Sequence, residues 1–275
     1  MTRRRFPVGK TLLYVFMSLW ALTTIYPFIW VILNSFKPRG LIRSDTFSLP
    51  IGDKFTLENY VTAFKRVDIG TAYVNSIVIS GAVTVVVMVL AGLAAYAMVR
   101  YSFRLRGFLH SMIIASMMFP VFSTIIPVFR MESSWGIVNT GSIWLTRLSV
   151  VLPQIAGNLS FAIIVLMGFI RSLPVDLEEA AYLEGYNVYQ IFFRIIMPLA
   201  KPSFATVGIF TFLWSYNDLF LQMFFLRSKK FFTITRLLNE ISSQAGTNYG
   251  LMVAAVVMVV IPVLVVYIFL QNYII

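Results

Sequence analysis

Cysteine is absent from the 275 residues, which excludes disulfide, thiolate and iron–sulfur chemistry. A single histidine, His110, leaves no histidine cluster for a metal. Acids are scarce, 11 Asp and Glu against 22 Lys and Arg. Apart from one short run they are scattered, so no paired carboxylates are set up for acid–base catalysis. A phosphate loop is missing too. Gly9-Lys10-Thr11 matches the end of G-x-x-x-x-G-K-T, but Arg4 stands at the first glycine position. Without the glycine-rich cradle and a preceding strand the tripeptide holds no nucleotide. Charged residues make up only 12% of the chain.

What is present is apolar surface. Hydrophobic residues are 59% of the chain and the mean hydropathy is +0.84. A soluble core cannot hide that much, so the chain is read as membrane-embedded. The net charge of +11 then points to anionic lipid rather than to nucleic acid. Spanning the hydrocarbon takes about 20 mostly apolar residues. Six segments qualify: Leu12–Phe36, Ala72–Val99, Phe108–Phe129, Leu145–Ile170, Ser203–Leu226 and Leu251–Leu270. The first follows Arg3-Arg4-Arg5 but is about twice the length of a signal core and has no small-residue cleavage site, so it is read as retained. Pro27, Pro120, Pro127, Pro153 and Pro262 fall within spans. They bend helices either around a pathway or in an inert bundle. Ala91 and Ala95 permit close helix approach. Thr56 is placed to cap a short helix containing Asn59 and Tyr60. Lys and Arg are spread almost evenly over the two sides of a six-span arrangement, so charge does not orient the chain. The N-terminal arginines and the Arg100–Arg106 turn lean toward an inside N-terminus.

The acidic run is Asp176, Glu178, Glu179 and Glu184, between the fourth and fifth spans. Asp176 and Glu179 have the spacing of an N-cap and its N3 partner. Ala180 and Ala181 favour helix with little bulk. Gly185 sits where a helix stops in a left-handed conformation. Asn187 can start a second helix, Tyr189–Ile196, closed by Pro198. The expected unit is helix, glycine bend, helix, either docking in a partner's groove or simply solvated. A second polar stretch, Trp214-Ser215-Tyr216-Asn217-Asp218 with Gln222, puts a carboxylate late in the fifth span. It either lines a pathway or is solvated at the outer interface. Asn75, Ser76, Ser80 and Thr84 form a polar strip on the second span, and Gln154 and Asn158 mark the fourth. His110 is read as interfacial.

The run Glu179-Ala180-Ala181, Gly185, then Ile195 and Pro198 resembles the EAA loop of permease subunits of bacterial ATP-binding-cassette importers. Asn34-Ser35-Phe36-Lys37-Pro38, Leu57-Glu58-Asn59-Tyr60, Tyr73-Val74-Asn75-Ser76, Ala94-Ala95-Tyr96-Ala97 with Arg100, Ile126-Pro127, Gly136 with Asn139-Thr140, and Lys201-Pro202 resemble its carbohydrate branch. The chain is similar to the smaller permease of maltose-type transporters. Glu184 stands where many members have Asp, Met197 where Leu is usual, and Trp214 is displaced from Asn217-Asp218. Relatives usually run on into a short tail beyond the position of Ile275.

The resemblance implies an all-α, six-span type I permease fold with a cytoplasmic helix-turn-helix coupling loop at 172–200. Residues 1–70 are expected to hold the first span and an external loop, and 71–270 the permease core. The ATPase-coupling positions would be Glu179, Ala180, Ala181, Gly185 and Pro198. A sugar pathway would be lined by Asn75, Ser80, Asn158, Asn217 and Asp218. The implied partners are a second permease, two ATPase subunits carrying ATP and magnesium, an extracytoplasmic sugar-binding protein and membrane lipid. No cofactor, metal or nucleic acid is expected on this chain. Both termini would be cytoplasmic, in a bacterial inner membrane. The rival readings are a stand-alone ion-coupled transporter, which needs more intramembrane carboxylates than Asp218 alone, and an importer of a non-sugar solute.

Overall fold

The computed structural model describes residues 8–66, 68–245 and 248–270, so the arginines at 3–5 and the residues after 270 lie outside it. Among the described residues there is helix and no strand. In chain order the helices are α1 Val8–Ser35, α2 Leu41–Ser44, α3 Glu58–Arg66, α4 Ile69–Arg100, α5 Arg106–Ser116, α6 Val121–Ser134, α7 Ile143–Ser172 and α8 Asp176–Leu183. They continue as α9 Val188–Leu199, α10 Lys201–Asn217, α11 Leu219–Phe225, α12 Ile234–Ala245 and α13 Tyr249–Leu270. All six expected apolar segments are helical, but two are broken. The third bends by 104° between α5 and α6. Phe119 precedes Pro120, a position that disfavours helix, and Pro120 itself is extended at the N-cap of α6. The fifth breaks at Asp218, whose side chain caps α11 by accepting from the Leu221 amide at 3.2 Å. Three helices, α1, α4 and α7, are long and apolar enough to cross a membrane, or up to five spans if each bent pair counts as one. Pro127 and Pro153 stay inside α6 and α7 without breaking them.

The chain falls into two compact units. The first comprises residues up to 67 with Leu238–Ile261. In it α1 exposes almost all of its apolar side chains, Leu12 to Ile29. The α1 C-terminus is held by Asn59 of α3, whose amide donates to the Ser35 and Lys37 carbonyls at 2.9 Å each. Lys37 is buried, and its ammonium donates to the Asp45 and Thr46 carbonyls at 3.0 and 2.9 Å. The Asn-Ser-Phe-Lys-Pro run is thus a helix-terminus clasp. Thr56 Oγ1 accepts from the Glu58 amide at the start of α3, as its position predicted.

The second unit comprises Asp68–Leu237 with the residues from Pro262 on. Here α4, α7 and α10 pack side by side. Val83, Val87, Ala91 and Ala95 recur every fourth residue on α4 and are fully buried. They share one core with Leu166 and Ile170 of α7 and Phe204 and Val207 of α10. The close approach is strict at Gly92. A Cβ there would lie 2.8 Å from the Phe204 ring and 2.9 Å from the Phe192 ring.

Candidate functional site

The acidic stretch folds as the expected helix, glycine bend and helix. Val175, not Asp176, occupies the N-cap, and Asp176, Glu178 and Glu179 form the first turn of α8. Their charges face the positive end of the helix dipole. At the other end Gly185 adopts φ +85°. Its amide donates to the Tyr182 carbonyl and the Tyr186 amide to the Ala181 carbonyl, both at 3.0 Å. This is the Schellman pattern, which satisfies the last carbonyls of a helix. Asn187 then caps α9 reciprocally with Gln190, with bonds of 2.8 and 2.9 Å. Pro198 does not close α9. The turn before it, Phe192–Ile196, is wound as a π-helix, and the helix runs through Pro198 to Leu199. The looser winding changes which amides must bond, and the missing amide of Pro198 sits in the last turn.

The five coupling candidates do not share one surface. Glu179, Ala180 and Gly185 are exposed, whereas Ala181 is buried in the core formed with α4 and α7. Leu183, which its residue type alone did not single out, is 91% exposed at the tip of α8. The inner face of α8 carries a contact that spacing could not reveal. Glu178 is buried, its Oε1 2.5 Å from Arg100 Nε, and its Oε2 accepts from the Tyr96 hydroxyl at 2.7 Å. Arg100 also donates through Nη2 to the Leu173 carbonyl at 2.9 Å, bonding α8 and the end of α7 to the last turn of α4. Beside it the Tyr101 and Tyr182 hydroxyls meet at 2.9 Å. That bond, helped by burial, raises the Tyr182 pKa above its ordinary value. The Arg100–Glu178 bond is charge-assisted, roughly twice as strong as a neutral one, and it fastens α8 to α4.

Three of the five pathway candidates come together. Asn158, Asn217 and Asp218 line a cavity of about 430 Å³ with Gln154, Trp214 and Phe161. Gln154 organises it, accepting from the Ser215 hydroxyl at 2.6 Å and donating to Asp218 Oδ2 at 3.0 Å. The Phe161 and Trp214 rings stand edge-on at 4.8 Å. Amide and carboxylate groups beside aromatic faces are the donor, acceptor and stacking set that a polyhydroxyl ligand needs. Asn75 and Ser80 line neither this cavity nor the larger one beside it. Asn75 is saturated, donating to the Lys230 and Phe232 carbonyls at 3.2 and 3.1 Å and accepting from Arg147 at 2.8 Å. It pins the Lys229–Phe231 turn. Ser80 is buried, and its carbonyl accepts from Thr84 at 2.7 Å.

Residues 88–274 match the family described as binding-protein-dependent transport system inner membrane component. The diacetylchitobiose uptake system permease protein NgcG of Streptomyces coelicolor is 34% identical over 261 residues, 94% of this chain and 84% of that protein. The melibiose/raffinose/stachyose import permease protein MelC of Bacillus subtilis is 29% identical, covering 90% of this chain and 87% of that protein. A chain in the crystal structure of a bacterial ABC transporter involved in the import of the acidic polysaccharide alginate superposes with a TM-score of 0.82. It is 24% identical and covers 99% of both chains, a likeness of fold. With a family match across most of its length and a relative a third identical over nearly all of it, this chain belongs to the binding-protein-dependent transport system inner membrane components.

Proposed function

We propose that this chain is one of two permease subunits of an ATP-driven importer that carries a saccharide across a bacterial inner membrane. The single observation behind the mechanical part is α8, exposed on one face at Glu179, Ala180 and Leu183 and fastened on the other through Glu178 to Arg100 and Tyr96. In this reading the exposed face lies in the cytoplasm, as do both termini, and seats in a groove of an ATPase subunit. ATP and magnesium bind that partner. When two such partners close on ATP, they draw the coupling helices together. The Arg100–Glu178 pair passes the displacement to α4, and the bundle turns from inward-facing to outward-facing. An extracytoplasmic binding protein then delivers the saccharide. The sugar-named relatives and the lining of Gln154, Asn158, Asn217, Asp218 and Trp214 support the choice of cargo. The bare apolar face of α1 suits lipid or the second permease.

Because the chain has no cysteine, crosslinking tests the docking cleanly. Leu183→Cys, in a complex that still takes up saccharide, is expected to crosslink to an ATP-hydrolysing subunit with yield changing between nucleotide-free and ATP-bound states. Ala181→Cys, buried, is expected to stay unreactive. An active preparation in which Leu183→Cys never reaches an ATPase would refute the coupling assignment.

A further inference from the structure

Beside the cavity of Asp218 lies a second, of about 470 Å³, formed within the same unit. The two share Met117, Val121, Ile125, Pro153, Gly157 and Leu221, so one layer of side chains divides them. Glu132 of α6 lines the second cavity. It is 1% exposed, and its Oε2 has no hydrogen-bond partner. A buried carboxyl oxygen left without a donor is costly, and its presence facing a cavity points to a ligand that supplies one. The charge pattern sharpens this. The chain carries twice as many cationic as acidic residues, yet no Lys or Arg lines either cavity. The charged groups lining them are two carboxyls, Asp218 in one and Glu132 in the other. Trp214 and Trp135 supply an aromatic surface in the first and the second respectively. Each volume falls within the range of small-molecule sites.

We propose that Glu132 and Asp218 mark a saccharide-binding chamber in this subunit that accepts neutral or amino-bearing sugar units and rejects uronates. Resting on the importer reading above, it adds a selectivity for which the chemistry is direct. Carboxyl groups bond sugar hydroxyls and an ammonium group pairs with them, whereas a second carboxylate brought into a cavity lined by no Lys or Arg is left uncompensated.

The test uses the purified complex of both permeases and both ATPases without its binding protein, with tryptophan fluorescence as readout. Trp135 and Trp214 report from the chamber, and Trp135→Phe identifies the signal of the Glu132 side. The probes are diacetylchitobiose, its N-deacetylated form chitobiose, and digalacturonate. The unaltered complex is expected to bind the first two and not the third. Glu132→Gln should weaken chitobiose about tenfold and admit digalacturonate. Gly157→Phe should abolish binding, since Gly157 lines both cavities and a Cβ there meets no atom within 4 Å, leaving room for a ring that would occupy ligand space. Identical titrations for Glu132→Gln and the unaltered complex overturn the proposal, as does digalacturonate binding to the unaltered one. Loss of the second permease from the Glu132→Gln complex also overturns it, making Glu132 an interface contact. Uptake by the complex with its binding protein separates the two readings. Saccharide uptake without any probe binding defeats the chamber alone, and no saccharide uptake at all defeats the importer.

Discussion

Glu178 and Arg100 are separated by 78 residues and joined by a 2.5 Å contact, with side chains 5% and 11% exposed. Removing one member of a buried pair leaves the other uncompensated, at a cost of about 3–5 kcal/mol. Replacing both with apolar groups costs far less. Glu178→Leu and Arg100→Met are therefore each expected to lower the melting temperature of the assembled complex markedly, and the double variant to lose less than their sum. Both singles should also cut uptake more than they cut basal ATPase rate, because the ATPase itself is untouched while its link to α4 is loosened. Additive losses in the melting temperatures would show that the two residues act apart. This pair was not legible in the sequence. Glu178 looked like one acid among four, and nothing in local spacing told its inward orientation from the outward one of Glu179. Glu132 was likewise hidden, as a lone acid near the end of an apolar segment. Asp218 stood out because its run combined Trp, Asn and Asp, which left open a pathway lining or a solvated acid; it lines a cavity. Asn75 carried the same polar signal, but its amide is consumed by backbone carbonyls.

At the level of elements, the stop at Gly185 and the start at Asn187 were read correctly, because their chemistry is contained within a few residues, whereas Asp176 was taken for an N-cap that Val175 occupies and Gln190, the partner of Asn187, was missed. Breaks inside apolar segments were less visible. Hydrophobicity reports burial and says nothing of direction, so α5 with α6, and α10 with α11, each read as one span. The signals were there, in Phe119 ahead of Pro120 and in the capping Asp218, but apolar length outweighed them. Pro198 misled in the opposite sense, since a π-wound turn carries the helix past it. The Gly185 bend gives the prediction for this scale. Its φ of +85° costs an L-residue about 1–2 kcal/mol, while a side chain there meets no atom within 4 Å. Gly185→Asp is thus expected to leave the chain folded, inserted and assembled. It should twist α8 against α9 and reduce uptake and binding-protein-stimulated ATP hydrolysis together by about tenfold. Uptake equal to the unaltered complex would remove the bend from the mechanism.

For the whole molecule, composition read as a membrane protein and the Glu179-Ala180-Ala181 run as an importer permease. The chain's orientation could not be read, because on the expected six-span arrangement its 22 basic residues divide almost evenly between the two sides. Its apolar α1, bare from Leu12 to Ile29, is built to be covered by lipid or by another chain. Membership in a family of inner membrane components argues for a part rather than a machine. A stand-alone ion-coupled transporter needs its own carboxylates or cation sites to bind the driving ion. This chain belongs instead to a family of inner membrane components of binding-protein-dependent systems. The chain reconstituted alone in liposomes is therefore expected to accumulate no saccharide under a proton or sodium gradient, and to hydrolyse no ATP. Uptake should return only when the second permease, the ATPases and the binding protein are all supplied with ATP and magnesium. Gradient-driven accumulation by the lone chain, abolished by Asp218→Asn, would reverse the assignment of the energy source and make α8 a surface helix with no motor to serve.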